Sequence, residues 1–362
     1  MRAAVLRGYN QPVAIEDVDI ASPGPREIKV RTHACGVCHS DLHVLEGSLP
    51  APPPLVLGHE PAGVVEEVGS DVSYVQPGDH VIACLSAFCG TCDFCLSGRL
   101  NLCGGEATAR KPEEPPRLSQ NGEVVHQFAH LSGFAEQMLL HENAVVKIRE
   151  DMPLEQAALI GCGVTTGVGA ALNTANIAPG SSVAVIGLGG VGLSALQGAR
   201  IAGAGRLIAI DTVPWKLDLA RKLGASDVIN AKEADAVMGV HELTGGGVET
   251  SFECIGTAPT IQQSVAMLQK GGTAVMVGVQ PIGQTVELMG LDIVIQGKTI
   301  VGSMMGDNRF RIDMPRYCDF YLDGRLRLDE MISARIGLDD LNDAFEKMKS
   351  GEVARSVVTF AS

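Results

Sequence analysis

A strand, a glycine-rich turn and a helix in direct succession constrain this chain more than anything else in it. SSVAVIG runs into GLGGVG at positions 187–192, and the helical stretch LSALQGARIAGA follows. Gly187, Gly189 and Gly192 fit G-x-G-x-x-G, with Gly190 and Val191 inside the turn. The first glycine permits a tight turn, the second a backbone approachable by pyrophosphate, and the third close packing of helix on strand, with the phosphates at the helix N-terminus. Asp211 ends the next strand, RLIAI, where a carboxylate accepts hydrogen bonds from ribose hydroxyls and repels a 2′-phosphate. Thr212 follows it and no arginine stands beside it, so NAD is expected rather than NADP.

The alternation continues through PWKLDLARKLGA, DVIN, GVETSFECIG, TIQQSVAMLQ, GGTAVMVGV and KTIVGSMM. Strands alternating with helices build a parallel sheet covered on both faces. Before about residue 160 the texture differs, with short strands broken by Gly and Pro, as in REIKVRTHACGVC and PAGVVEEVGSDVSYVQPGDHVIA. The expected fold class is therefore α/β, a Rossmann dinucleotide-binding domain joined to a mostly β domain. The polar stretch from Gly104 to His130 reads as a long surface loop.

Two cysteine-bearing sets lie upstream of the glycine-rich turn. In CGTCDFCLSGRLNLC, Cys89, Cys92, Cys95 and Cys103 are spaced to close a tetrahedral thiolate shell around one structural Zn²⁺. Disulfides at such spacing would strain, and the N-terminus lacks the apolar core of a signal peptide. Ten cysteines without a secretory signal point to a reducing compartment, the cytoplasm. The second set is dispersed over CGVCHSDLH at 35–43, GHE at 58–60 and GCG at 161–163. Cys38, His59 and Cys162 would give a Cys₂His shell with one open position, as catalytic zinc requires. Cys35, Cys84, Cys254 and Cys318 have no motif partners and read as apolar fillers. A net charge of −14 repels phosphate backbones and anionic membranes, and no apolar run looks long and unbroken enough to span a bilayer.

Taken together, GVCHSD, GHEPAGVVEEVG, the four-cysteine lobe, GCGVTTGVGA, GLGGVG and SGEVARSVVTF resemble the zinc-dependent medium-chain alcohol dehydrogenases almost end to end. The resemblance implies a GroES-like catalytic domain over residues 1–163, with the zinc lobe at 89–103, and again over 305–362. The NAD-binding domain would occupy 164–304, with the active site in the cleft between the two. Ser40 matches the hydroxyl that accepts the alcohol proton, and His43 the histidine that relays it to solvent. Asp41 matches the carboxylate that orients His59, and Glu60 the one behind the metal. Lys216, with Asp211, matches ribose contacts; Arg355 and His39 match pyrophosphate contacts; Val191 and Val277 match packing behind the nicotinamide. Two zinc ions and NAD are the implied cofactors, and a homodimer, with a homotetramer as the alternative, is implied by pairing of the sheet edge near Gln284–Met305.

The expected reaction is reversible oxidation of a primary alcohol by hydride transfer to NAD⁺. Leu49, Leu85, Phe128, Ala129, Val279 and Met304 would line the cleft, an apolar slot suited to medium-chain or benzylic alcohols. The alternative is a thiol-adduct formaldehyde dehydrogenase. Relatives of that type carry acidic residues near the cleft mouth, where Gly47 and Leu49 stand here. A nicotinoprotein with tightly held NAD is a further alternative. A zinc module without catalysis is disfavoured by the intact Cys38, His59, Cys162, Ser40 and His43. His39 stands where several family members have arginine, which predicts weaker NADH binding and faster release.

Overall fold

In the computed structural model, which describes residues 1–361, the chain divides into two units. The first comprises Met1–Cys162, Arg309–Asp323 and Met331–Ser362; the second comprises Gly163–Asn308 and Gly324–Glu330.

The ten-residue strand Glu27–Gly36 organises the first unit. It lies in a seven-stranded sheet between Pro61–Val68 and Arg355–Thr359, and Gln137–His141 pairs with it as well. The pairings of Glu27–Gly36 are antiparallel, and Val30, Val65, Val81, Met138 and Leu140 share one core on this sheet. A four-stranded sheet runs His126–Gln127, Leu55–Val56, Arg2–Leu6 and Ala14–Asp17. Its core joins Leu6, Leu55 and Leu57 to Val37, Leu42 and Phe134. This is the mostly β unit that the broken, Gly- and Pro-punctuated sequence predicts.

The second unit contains six parallel strands in the order Asp227–Asn230, Arg206–Asp211, Ser182–Ile186, Val248–Glu253, Leu268–Met276 and Thr299–Gly302. Numbered along the chain, that order is the 3-2-1-4-5-6 arrangement of dinucleotide-binding sheets. Val183, Ala184, Val185, Ile208 and Ala209 are wholly buried, as expected of central strands covered on both faces. The expected fold class is the observed one.

Three details depart from expectation. The stretch from Gly104 to His130 is not a structureless loop: Leu118–Gln120 and Glu123–Val124 form a hairpin, and His126–Gln127 joins the four-stranded sheet. It is fastened by Glu27, which is 5% exposed and accepts hydrogen bonds from Arg110 Nε at 3.1 Å and Arg117 Nε at 2.7 Å. Both guanidiniums, with the Gly24 amide, outweigh the burial that opposes the charge and hold the Glu27 carboxyl down at about 2. Gly324–Glu330 groups with the dinucleotide unit, where Arg327 donates to Lys222 O and its amide to Gln197 Oε1. Finally, the helical run Leu154–Thr174 is long and apolar enough to cross a membrane, but 83% of its most apolar window is buried in the protein, which accounts for its composition.

Candidate active site and metal centres

The dispersed ligand set assembles within the first unit. Cys38 caps the helix His39–Leu45, His59 and Glu60 precede the strand Pro61–Val68, and Cys162 sits on a π-helical turn, Ile160–Val164. Extra-residue turns of this kind recur where a helix must re-aim a side chain at a site. Glycines make the approach possible. Gly58, at φ +93°, has no room for a side chain against the Phe134 backbone, and a Cβ on Gly36 would overlap Glu60. A Cβ on Gly161 would crowd the Glu60 Cα at 3.3 Å.

One donor atom from each of Cys38, His59, Glu60 and Cys162 lies within 4.8 Å of the others, all four residues being buried. Asp41, itself fully buried, ties the segments together. Its Oδ1 accepts from the Gly58 amide at 3.0 Å and bonds His59 Nδ1 at 3.0 Å, while Oδ2 accepts from the Cys38 amide at 3.3 Å. That leaves His59 Nε2 buried and without a hydrogen bond, aimed where a metal would sit. Without an ion, the buried donors act on one another's charge. A hydrogen bond from Cys162 and then the His59 charge hold the Cys38 thiol well below its usual range, and the same contact pushes Cys162 up. Burial opposes the His59 imidazolium, but Asp41 and Cys38 override it and push the ring up to about 10. The residues fit a zinc ion in donor type, burial and orientation.

Ser40 Oγ lies 3.9 Å from Cys38 Sγ, and the His43 carbonyl accepts from the Ser48 and Leu49 amides. Glu60 contacts Arg355 through Oε2 and Nη2, both side chains buried. His39 is exposed at the start of its helix. The Phe128 ring meets the His59 ring edge-on, with centroids 5.3 Å apart at 82°. Leu49 and Phe128 pack against one core cluster, whereas Leu85 packs against the other. Ala129 sits in a left-handed conformation at φ 53°. Val279 and Met304 belong to the second unit, 62% and 50% exposed.

The four-cysteine lobe is a surface feature. Cys89 and Cys95 sulfurs lie 3.8 Å apart, and those of Cys92 and Cys95 3.5 Å apart. A tetrahedral zinc with bonds of about 2.3 Å has sulfur–sulfur edges of about 3.8 Å, whereas a disulfide would need about 2.05 Å. The amides of Gly90, Thr91 and Cys92 point at the Cys95 and Cys89 sulfurs from 3.3–3.4 Å. The Thr91 amide and hydroxyl, with the Cys92 amide, bring the Cys89 thiol down to about 6, whereas burial and the neighbouring sulfurs push Cys95 up to about 12.

In the second unit the three glycines behave differently from one another. Gly187 has φ +88°, and a Cβ there would run into Ile255; a Cβ on Gly192 would overlap the Gly187 carbonyl. Gly189 has nothing within 4 Å of its Cβ position, so the protein's own packing does not require a glycine there. The open cradle fits a pyrophosphate. Gly190 begins the helix Gly190–Ile201, with Val191 behind it. Asp211 accepts from the Leu188 amide at 2.7 Å and from the Thr212 and Val213 amides, which ties the carboxylate to the glycine-rich loop. Lys216 stands over the Trp215 ring, and Val277 is buried with its amide on Glu253 O.

Glu253 escaped the sequence reading. It is fully buried at the end of its strand and accepts from the Ile255 and Gly256 amides at 2.9 Å and from Thr260 Oγ1 at 2.8 Å. It thus shapes the turn that presses Ile255 against Gly187. A carboxylate inside the apolar run TSFECIG was the available signal. Cys35, Cys84 and Cys318 are buried outside both ligand sets, as their lack of motif partners implies, and Cys254 is half-buried.

Comparison with known proteins follows the same division. The alcohol dehydrogenase GroES-like domain profile matches residues 24–150, and the zinc-binding dehydrogenase profile matches residues 190–321. An S-(hydroxymethyl)glutathione dehydrogenase of Synechocystis sp. is 41% identical over 367 residues, covering 99% of each chain. The crystal structure of benzyl alcohol dehydrogenase from Acinetobacter calcoaceticus superposes with a TM-score of 0.94 at 33% identity, covering 99% of each chain. A putative zinc-binding dehydrogenase from Sinorhizobium meliloti, crystallised with NADP, does so at 0.84 and 31%, again over 99% of each chain.

Proposed function

The chain belongs to the zinc-dependent medium-chain alcohol dehydrogenases and is an NAD-dependent zinc enzyme of that family; from this premise we propose that it oxidises apolar primary alcohols, medium-chain or benzylic, reversibly to aldehydes. The carrying observation is the Phe128 ring set edge-on against His59, with Leu49 on the same apolar cluster. A hydrocarbon or aryl substituent gains contact there, and a charged one would lose water without a partner.

Cys38, His59 Nε2 and Cys162 would hold the catalytic zinc, and Cys89, Cys92, Cys95 and Cys103 the structural one. Zinc held by the first set supplies a Lewis acid that makes the alcohol a stronger acid, as it brings bound water to a pKa of about 7. Asp41 holds Nδ1, so Nε2 is the nitrogen that would ligate once its proton has left. Ser40 Oγ takes the alcohol proton and His43 passes it to solvent. Glu60 and Arg355 balance charge beneath the shell. Gly187, Gly189, Gly190, Val191 and Gly192 would receive the cofactor phosphates, Asp211 and Lys216 would serve the ribose, Val277 would pack against the nicotinamide, and the family resemblance would give His39 and Arg355 to the pyrophosphate. In sum the alcohol gives a hydride to NAD⁺ and a proton to solvent, leaving an aldehyde. Asp211 supports NAD as the cofactor because it repels a 2′-phosphate. Ten free cysteines suit the reducing cytoplasm. The exposed apolar side chains Ile282, Met289, Leu291, Val294 and Ile295, beside the edge strand Thr299–Gly302, support a homodimer.

A second reading, oxidation of S-(hydroxymethyl)glutathione, is favoured by the activity named for the 41%-identical relative. Gly47 and Leu49, where acidic residues would be expected, speak against it. The deciding experiment measures NADH formation by zinc-replete protein with straight-chain, secondary and benzylic alcohols, and with formaldehyde plus glutathione, using NAD⁺ and NADP⁺ in parallel. Preference for benzylic or medium-chain primary alcohols with NAD⁺ is expected. Turnover of the glutathione adduct alone would replace the first reading with the second.

A further inference from the structure

Three of the four residues Ala129–Ser132 are non-glycine residues in the left-handed region: Ala129 at φ 53°, His130 at 62° and Ser132 at 69°. Backbone of this kind is costly for any residue with a Cβ and persists only where the surroundings over-determine it, as they do around functional sites. The turn starts at Phe128, whose ring faces His59, and returns to the same segment, the Gly133 amide donating to Gly58 O at 2.7 Å and the Phe134 amide to Leu57 O at 3.0 Å. Its conformation thus decides where the Phe128 ring stands relative to the metal shell.

One side chain over-determines the turn. The two N–H bonds of Gln127 Nε2 are shared among three acceptors, Leu131 O at 3.3 Å, Ser132 Oγ at 3.1 Å and Leu139 O at 3.1 Å. The first two acceptors are the far end of the turn, and the third belongs to the strand Gln137–His141, which pairs with Glu27–Gly36. The backbone of Gln127 is itself paired with Val56 in the four-stranded sheet. A single carboxamide therefore bridges the two ends of the strained turn to the sheet that carries the unit.

We propose that Gln127 is a positioning residue for the alcohol site: it holds the left-handed turn that aims Phe128 at the metal shell, and so sets the preference for bulky over small alcohols. The inference rests on the apolar-alcohol reading above. Gln127 touches no reacting atom, and its effect passes through Phe128.

The test compares zinc-loaded wild type with Gln127→Leu and Gln127→Glu, which remove the donor while keeping its approximate size. Two quantities are read: backbone hydrogen exchange at Leu131, Gly133 and Phe134, and the ratio of kcat/KM for benzyl alcohol to that for ethanol. Both variants are expected to exchange faster there and to lose roughly tenfold of the ratio, the scale of a methylene's contact in an apolar pocket, while retaining zinc. Adding His130→Gly, which removes the left-handed penalty at an exposed position, is expected to restore both readouts. Unchanged exchange would overturn the anchoring role, and faster exchange with an unchanged ratio would overturn the positioning role. Should wild type oxidise neither alcohol, the apolar-alcohol reading and the specificity claim built on it fall together. Exchange then still decides separately whether Gln127 holds the turn.

Discussion

Asp41→Asn is the sharpest probe of the catalytic metal shell, because the carboxylate serves three donors with two oxygens. Oδ1 meets the Gly58 amide and His59 Nδ1, each at 3.0 Å, and Oδ2 meets the Cys38 amide at 3.3 Å. Asparagine keeps the shape but has one oxygen and one NH₂. With its oxygen at the Oδ1 position, the NH₂ faces the Cys38 N–H; flipped, it faces both other donors. The first orientation loses less, and one buried donor without an acceptor costs about 1–3 kcal/mol. His59 also loses an anionic partner and becomes a weaker ligand. The unpaired amide costs stability with or without metal, whereas loss of the partner of a ligating histidine should lower zinc affinity about 10- to 100-fold. The assay is chelator competition with an optical zinc indicator, counting two metals per chain. The structural zinc is an internal control, since none of its ligands touches Asp41. One metal leaving early and the other at the wild-type rate is expected. Both leaving at wild-type rates would refute the reasoning, as would lost activity with both metals held normally.

Three further outcomes follow from the geometry. Glu27→Gln should destabilise the first unit by about 3 kcal/mol, the worth of a carboxyl brought from 4.5 to about 2. Because the folded carboxyl is depressed, this stabilisation is complete above about pH 4.5 and disappears as pH falls towards about 2, so urea unfolding curves of mutant and wild type should converge only in that window; a difference that shrinks already between neutrality and pH ~5 would contradict the assignment. His39→Arg should tighten NADH and slow its release in stopped-flow traces, and identical traces would remove His39 from the pyrophosphate site. Gly189→Val should raise KM for NAD⁺ while leaving thermal stability intact, since nothing lies within 4 Å of the Cβ position; unaltered NAD⁺ binding would show that the cradle is not a phosphate site.

Both metal sets and the glycine-rich turn were legible because their chemistry admits few residue types. Thiolate and imidazole donors and a side-chain-free backbone leave a mark in one dimension. Asp41 came only with the family resemblance, and its link to the Gly58 amide needed coordinates. The anchoring of the polar stretch after Gly104 was not legible. Glu27 is far in sequence from Arg110 and Arg117, and all three look individually like ordinary surface charges, so the polar segment reads as a loop. Gln127 was hidden for a similar reason: a glutamine next to a strand has no signature until its three acceptors are known. The expectation that no apolar run is long enough to span a bilayer missed the helical run Leu154–Thr174, whose glycines and threonines break up its hydropathy along the sequence.

The two metal shells also differ in when they can form during synthesis. Cys89 through Cys103 span fifteen consecutive residues, so the lobe can capture its ion as soon as that short piece has left the ribosome. Cys38 and Cys162 stand 124 positions apart, and closing that distance must wait for the strands between them. Chain order alone therefore lets the lobe close before the reactive centre can. A chain cut short before Cys162 would keep every ligand of the closed shell and lack one of the open shell.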